Sequence, residues 1–341
     1  MLKSKNILGV AIICLCLNNA NTVFGKNVGV VLSKIPSSNQ AAVPDKKNAV
    51  ANFEQGTNLY KQGDLKGAEA AFRKAIQLEP NFAQAYIALA NTLNDQGKPQ
   101  QAIAQYNKAI SFDPKDSSAY LNLGLTLAKL NQLEGAIAQY KKALSLDPNY
   151  ADAHYNLGNA LYAQGKPAEA VAEYTATIRL APKNPAGYNA LGNTLYAQGK
   201  LEEAIAHYKK AISFDPNYAD AHYNLASAFY AQGKLTEAIA DYTEAIRLDP
   251  KHAQAHTGLA NAMDDQGKSE EAIAHYKKAI SLVPNDAYTY YNLGITLGRE
   301  QQLEEAIVNL KKAKELFQAE ENKEMVEQVD QLIQKINPRR N

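Results

Sequence analysis

The segment LGNTLYAQGKLEEAIAHYKKAISFDP, residues 191–216, decides the fold. It contains two stretches with apolar residues three and four apart, separated by the break AQGK at residues 197–200. This spacing is typical of amphipathic helices, and a glycine-centred break between two such stretches indicates a tight turn. The segment ends at Pro216, and the residue before a proline avoids helical geometry. The segment therefore predicts two helices joined by a turn.

The same unit recurs along the chain with a fixed period of 34 residues. Prolines that keep this step are Pro80, Pro114, Pro148, Pro182, Pro216, Pro250 and Pro284. Alanines that keep it are Ala68, Ala102, Ala136, Ala170, Ala204, Ala238, Ala272 and Ala306. Repetition of this length is typical of solenoids, in which each unit buries its apolar face against its neighbours.

The repeated unit resembles the tetratricopeptide repeat family over residues 49–320. In one unit the matching signature residues are Leu191, Gly192, Leu195, Gly199, Ala204, Tyr208, Ala211 and Pro216. The resemblance implies an all-α, right-handed superhelical solenoid of eight helix-turn-helix repeats. Their predicted bounds are 49–82, 83–116, 117–150, 151–184, 185–218, 219–252, 253–286 and 287–320.

Close contact between the two helices of a repeat requires small residues at one position of the first helix. These residues are Gly56, Ala90, Gly124, Gly158, Gly192, Ala226, Ala260 and Gly294. An aromatic residue of the second helix is predicted to fill the remaining gap in seven repeats, as Phe72, Tyr106, Tyr140, Tyr174, Tyr208, Tyr242 and Tyr276. Pro99 and Pro167 are predicted to begin second helices, where the missing donor of proline is harmless.

Residues 1–25 are typical of a cleaved secretory signal. Lys3 and Lys5 precede an uninterrupted apolar run of eleven residues, 7–17, which is shorter than the about 20 residues that a membrane-spanning helix needs. Cleavage is expected after Gly25 or, alternatively, after Ala20; an uncleaved anchor or a buried strand is the other interpretation. The segment therefore predicts a periplasmic or secreted protein. Both cysteines lie inside this segment, so the processed chain is expected to lack disulfides and thiol ligands.

Two further segments flank the predicted repeats. Residues 26–48 contain two prolines and no helical periodicity, which predicts a flexible linker. Residues 321–338 are predicted to form a helix that caps the last repeat; a partner-binding helix is the alternative. Its apolar stripe consists of Met325, Val326, Val329, Leu332, Ile333 and Ile336.

Function depends on the side chains that packing does not use. A step of about 100° per residue places positions 2, 5, 6, 9, 12 and 13 of each first helix opposite its packing face. In the family this opposite face lines a concave groove. The predicted groove residues are Tyr155, Asn156, Asn159, Tyr162, Asn189, Asn193, Tyr196, Tyr223, Asn224 and Tyr230. Asn91, Asn122, Asn261, Tyr291 and Asn292 extend the series.

A surface of asparagine and tyrosine suits an extended polypeptide ligand. The asparagine amide offers both a donor and an acceptor to a peptide backbone, and tyrosine adds rigid contact area with a polar tip. The alternative is that these residues pack against neighbouring repeats and that the array is a structural spacer or a self-assembling envelope component.

Asparagines in this register are similar to those in the repeat half of O-linked N-acetylglucosamine transferase, but no catalytic half follows residue 320, so we expect a non-enzymatic scaffold. The lysine and arginine clamp of the chaperone-binding class is replaced by Tyr, Asn and Asp.

No cofactor or metal site is expected. His154, His222 and His256 occupy position 4 of successive or alternate repeats and are predicted to be structural, since no HExxH or similar metal-binding motif is present. The balance of 36 basic and 35 acidic residues disfavours nucleic acid as a partner. We expect a monomer whose partner is a protein or peptide, with no integral membrane span after processing.

Overall fold

The computed structural model describes residues 44–336, so the predicted signal and most of the predicted linker lie outside the described residues. The described residues form seventeen α-helices and no strand, as the sequence predicts. The helices are α1 Pro44–Lys61, α2 Leu65–Leu78, α3 Ala83–Asp95, α4 Pro99–Phe112, α5 Ser117–Lys129, α6 Leu133–Leu146, α7 Ala151–Ala163, α8 Pro167–Leu180, α9 Pro185–Ala197, α10 Leu201–Phe214, α11 Ala219–Ala231, α12 Leu235–Leu248, α13 Ala253–Asp265, α14 Ser269–Leu282, α15 Ala287–Arg299, α16 Leu303–Ala319 and α17 Lys323–Ile336.

The chain divides into two compact units, Met1–Pro182 and Lys183–Asn341, here called the N-terminal and C-terminal units. Within each unit the two helices of a repeat pack together, and the second helix also contacts the first helix of the next repeat. The first helices of successive repeats also contact one another inside each unit. Each unit is therefore a stack of helix pairs in which the first helices form one continuous face, called the first-helix face below.

The small residue at position 8 allows the close contact inside a repeat. A Cβ atom added to Gly192 would lie 2.6 Å from Cε1 of Tyr208, and Tyr208 is only 1% exposed. Ala204 on the same second helix is fully buried. Gly124 meets Tyr140 in the same way, at 2.6 Å. The predicted pairing of a small residue with an aromatic ring is confirmed in these repeats.

The turn inside each repeat requires a residue with a positive φ. Gly199 has a φ of 76°, a conformation that costs glycine little. Asn131 and Gln301 take the equivalent place in repeats 3 and 8, with φ of 57° and 59°. Asparagine visits this region more readily than glutamine, so Gln301 is the more strained of the two.

The prolines end the second helices as predicted. α10 ends at Phe214, the N–H of Asp215 bonds the carbonyl of Ala211, and Pro216 follows. The Asp215 side chain then accepts from the N–H of Asn217 at 3.0 Å, which stabilises the turn. Pro99 and Pro167 begin α4 and α8, as expected for a residue without an N–H group.

Both ends of the array differ from the predicted bounds. α1 begins at Pro44, so residues 44–48 belong to a helix and the predicted end of the linker at 48 is wrong. Proline is tolerated in a first helical turn, and Asp45 there is favoured by the helix dipole. At the other end α16 has 17 residues where α10 has 14. The reason is that Gln318 replaces the proline that stops the other second helices.

Helix α17 covers the last repeat, which confirms the predicted packing. Met325 and Val329 are buried and lie in one apolar cluster with Leu310 and Phe317 of α16. The other four residues of the predicted stripe pack against the same cluster. Lys314 also pairs with Asp330 at 2.7 Å. Residues 337–338 of the predicted cap lie outside the described residues.

Candidate functional site on the first-helix face

All ten predicted groove residues lie on first helices, namely α7, α9 and α11. Those of α7 belong to the N-terminal unit and those of α9 and α11 to the C-terminal unit.

Two asparagines of the C-terminal unit bond each other across successive repeats. Nδ2 of Asn224 donates to Oδ1 of Asn189 at 2.9 Å, and Nδ2 of Asn189 donates to the hydroxyl of Tyr218 at 3.4 Å. Their exposed fractions are 6% and 3%. These two amides hold adjacent repeats together and offer little surface to a ligand.

The asparagine at position 9 has a different, recurring partner. The hydroxyl of the packing tyrosine, 15 residues later, donates to its Oδ1 in four repeats. The pairs are Tyr106–Asn91 at 2.5 Å, Tyr174–Asn159 at 2.8 Å, Tyr208–Asn193 at 2.8 Å and Tyr276–Asn261 at 2.7 Å. This bond satisfies a buried hydroxyl and holds the amides of Asn159 and Asn193 through their oxygen atoms, not through Nδ2.

Repeat 3 has Leu125 at position 9, which cannot bond a tyrosine hydroxyl, whereas Ser227 of repeat 6 lies 3.0 Å from the hydroxyl of Tyr242. The hydroxyl of Tyr140 has no hydrogen-bond partner among the described residues, although its side chain is fully buried. Burial raises the pKa of Tyr140 well above its usual range. An unsatisfied buried hydroxyl weakens a fold, so this tyrosine is a place where the packing pattern is incomplete.

The tyrosines of the predicted groove divide into buried and accessible residues. Tyr155 and Tyr223 are 7% and 8% exposed. They therefore pack inside the array, which is the alternative role that the sequence allowed for these tyrosines. Tyr162 and Tyr196 are half-buried, and burial raises the pKa of Tyr196 to about 12. Tyr230 donates to Asp265 at 2.6 Å. This pair links adjacent repeats on the first-helix face.

The remaining predicted groove residue, Asn156, is 4% exposed. Its Nδ2 donates to the backbone carbonyl of Asp152, one helical turn earlier, at 2.7 Å. Its amide N–H is therefore partly committed to its own helix.

A cleft opens on the first-helix face of the N-terminal unit, between α3 and α5. It is lined by Asn91, Asn94, Asp95, Tyr106, Asn122, Leu125, Thr126 and Lys129. Asn122 is 7% exposed, and its Nδ2 finds no acceptor among residues 44–336. An amide donor buried without a partner is unusual, and an acceptor oxygen that reached it through the cleft would satisfy it.

Sequence reasoning extended the groove to Asn91 and Asn122 but missed Asn94, Asp95, Thr126 and Lys129. Asn94, Asp95 and Lys129 lie at the groove positions 12 and 13, so the same helical pattern would have found them. Thr126 lies at position 10, outside that pattern, and its hydroxyl accepts from Nδ2 of Asn94 at 2.6 Å.

The position-4 histidines His154 and His222 contact the turn that precedes their own helix. Nε2 of His154 and of His222 meets the carbonyl of a proline six residues earlier, at 3.1 and 3.3 Å. Tyr86 and Tyr120 close the same turn with their hydroxyls. Among the described residues, no three His, Cys, Asp or Glu side chains converge as metal ligands would. Within residues 44–336, every helix is too short or too polar to cross a membrane.

Three solved structures have a fold similar to that of this chain. The Cut9–Hcn1 hetero-tetramer of the APC/C has a TM-score of 0.62 and 17% identity, covering 80% of this chain and 52% of that chain. This chain thus spans about half the length of that relative. A tetratricopeptide repeat protein from Parabacteroides merdae has a TM-score of 0.58 and 21% identity, covering 74% and 99%. PilF of Pseudomonas aeruginosa has a TM-score of 0.58 and 21% identity, covering 64% and 99%.

Comparison with curated proteins gave no significant match. Family models described as "TPR repeat" match residues 56–97, 90–131, 126–165, 158–199 and 192–233. Models described as "Tetratricopeptide repeat" match residues 223–287 and 275–308. These matches run through both units and agree with the helix pairs, the glycine turns and the terminal prolines. The chain belongs to the tetratricopeptide repeat family.

Proposed function

We propose that the protein is a non-enzymatic interaction scaffold that binds an extended polypeptide on its first-helix face. Tetratricopeptide repeat proteins bind protein or peptide partners, and the fold is generally a scaffold without catalytic activity. The observation that carries the proposal is the unpartnered Nδ2 of the buried Asn122, in a cleft between two first helices. Main-chain carbonyls are the acceptors that an extended polypeptide offers at every residue.

The amides of position 9 support the same proposal. A tyrosine hydroxyl bonded to Oδ1 of Asn159 or Asn193 leaves Nδ2 as the group available to a ligand. Because a second helix fixes each amide, little side-chain entropy is lost when a carbonyl binds. The charges beside the cleft, Asp95 and Lys129, are opposite in sign. Binding that depends on these amides should therefore vary little with ionic strength.

We also propose that the protein is exported to the cell envelope. The proposal rests on Lys3, Lys5 and the apolar run of residues 7–17. Intact-mass measurement of the protein from its native host should show the loss of about 20 to 25 N-terminal residues. A full-length product in the cytoplasm would refute export.

A structural spacer is the second candidate, and the bond between Asn189 and Asn224 favours it. Amides that bond each other across repeats stabilise the array and reduce its binding surface. A spacer predicts that substitutions in the cleft leave every measured interaction unchanged.

The experiment compares Asn122→Ala with Asn107→Ala, an exposed asparagine on the second helix α4 of the same unit. A displayed library of random peptides is selected on the native protein, and the affinity of an enriched peptide is measured by calorimetry. One hydrogen bond contributes roughly 0.5–1.5 kcal/mol, so Asn122→Ala should weaken binding about 2- to 10-fold and Asn107→Ala should not. Failure to enrich any peptide, or equal affinities for all three proteins, would favour the spacer.

A further inference from the structure

Positions 4 and 23 of a repeat face each other across its two helices. In repeats 4 and 6 they form histidine–carboxylate pairs, with Nδ1 of His154 at 2.6 Å from Glu173 and Nδ1 of His222 at 2.9 Å from Asp241. In repeat 7 the same positions hold two histidines. Nδ1 of His256 lies 3.1 Å from Nδ1 of His275. The carboxylate has thus been replaced by a second titratable base.

The two imidazoles of repeat 7 meet head to head. Their centroids are 5.4 Å apart, which is the Nδ1–Nδ1 distance plus the two ring radii, so the two nitrogens point at each other. One nitrogen must then donate a proton and the other must accept it. Nε2 of His256 lies 3.3 Å from the carbonyl of Pro250 and must be the N–H donor there. A neutral His256 therefore accepts at Nδ1, and His275 donates.

We propose that the His256–His275 pair is a pH-sensitive latch that holds α13 against α14 when at least one imidazole is neutral and releases them when both are protonated. A doubly protonated pair would place two N–H donors and two positive charges against each other at 3.1 Å. The latch goes beyond the proposed polypeptide binding and does not depend on it.

The surroundings of the pair make the second protonation unfavourable. Burial, followed by the charges of Lys278 and His252, lowers the pKa of His256, while the Pro250 carbonyl and Asp249 act in the opposite direction. Burial and the facing His256 lower the pKa of His275, and Glu271 opposes them. These groups lie on α14, at the start of α13 and in the turn before it. The folded repeat thus resists protons that the unfolded chain accepts.

Release of the latch would alter hydrogen bonds on the first-helix face. Oδ1 of Asn261 on α13 accepts from the hydroxyl of Tyr276 on α14 at 2.7 Å and from Nδ2 of Asn292 on α15 at 3.1 Å. Separation of α13 from α14 breaks the first of these bonds and leaves Oδ1 of Asn261 with Asn292 as its one donor. Acid would therefore change the first-helix face at repeats 7 and 8.

Hydrogen exchange with mass spectrometry at about pH 7.5 and about pH 5 tests the latch, after correction for intrinsic exchange rates. When the pKa of a histidine in the folded protein lies one pH unit below its value in the unfolded chain, the equilibrium constant for local opening rises up to about tenfold at acid pH. We expect protection in α13 and α14 to fall by about tenfold at the lower pH, whereas protection in α11 and α12 does not fall. Equal protection of α13 and α14 at both pH values would overturn the proposal.

A reciprocal exchange of side chains supplies matched controls. His275→Asp gives repeat 7 the pair of repeat 6, and Asp241→His gives repeat 6 the pair of repeat 7. The acid-dependent loss of protection should disappear from α13 and α14 in the first variant and arise in α11 and α12 in the second. His256→Tyr, which copies the Tyr188 and His207 arrangement of repeat 5, should also remove it. Unchanged acid sensitivity in His275→Asp or His256→Tyr would contradict the latch.

Discussion

The buried hydroxyl of Tyr140 gives the sharpest test of the tyrosine–asparagine pattern. Tyr140 and Tyr106 occupy the same position in adjacent repeats of the N-terminal unit, and both are at most 1% exposed. The Tyr106 hydroxyl donates to Asn91 at 2.5 Å and accepts from Asn94 at 3.2 Å, whereas that of Tyr140 has no partner among the described residues. Tyr→Phe removes one oxygen atom from each site and leaves the ring in place.

The two substitutions should act in opposite directions. Tyr106→Phe leaves the buried Oδ1 of Asn91 without its donor, which costs about 1–3 kcal/mol. Tyr140→Phe removes a hydroxyl that was buried without a bond, so its effect should lie between zero and a gain of about 1 kcal/mol. Urea unfolding, monitored by far-UV circular dichroism, measures both free energies of unfolding. If the dependence of the free energy on urea concentration is unchanged, the substitutions have not affected the unfolded state.

Leu125→Asn supplies the control by restoring the residue that other repeats have at position 9. Leu125→Asn should stabilise the protein when Tyr140 is present, and should not do so in the Tyr140→Phe background. A double-mutant cycle of the two substitutions should give a coupling energy of about 0.5–3 kcal/mol. If Tyr106→Phe and Tyr140→Phe destabilise equally, the hydroxyl–amide bond does not account for the conserved packing geometry of the repeats.

Three further outcomes are expected. Gln301→Gly should raise the free energy of unfolding by about 1 kcal/mol in urea titrations, because Gln301 has a φ of 59°; a loss would mean that its side chain makes a compensating contact. The pKa of His222 is raised, chiefly by its hydrogen bond to Asp241, so this pair adds stability that is fully present below about pH 6.5 and is lost as pH rises through the raised pKa. Asp241→Asn should flatten the stability profile in that window; an identical profile contradicts the pair's role. Val329→Asp places a charge at a fully buried site beside Phe317 and should lower the free energy of unfolding by about 3 kcal/mol or more. Hydrogen exchange should show a selective loss of protection in α17. Retained protection there would show that α17 is not held by this cluster.

The sequence alone determined the helices, the turns and the packing between the two helices of a repeat. Gly199 allows a positive φ, Pro216 stops a helix, and Gly192 admits the ring of Tyr208. Each of these effects is local or depends on residues at a fixed separation inside one repeat, so a period of 34 residues shows it in most of the eight repeats. The end of the linker could not be predicted in this way, because no residue of the repeat pattern marks where α1 begins.

Tertiary structure decided what each polar side chain of the candidate site bonds. Asn189 and Asn224 belong to the same asparagine-rich surface in sequence, yet they bond each other, whereas Asn122 keeps a buried donor without a partner. His256 and His275 are 19 residues apart on different helices, and only their packing brings the two rings head to head. Helical periodicity places a side chain on a face, but the direction and partner of a hydrogen bond depend on distances of a few tenths of an ångström between helices.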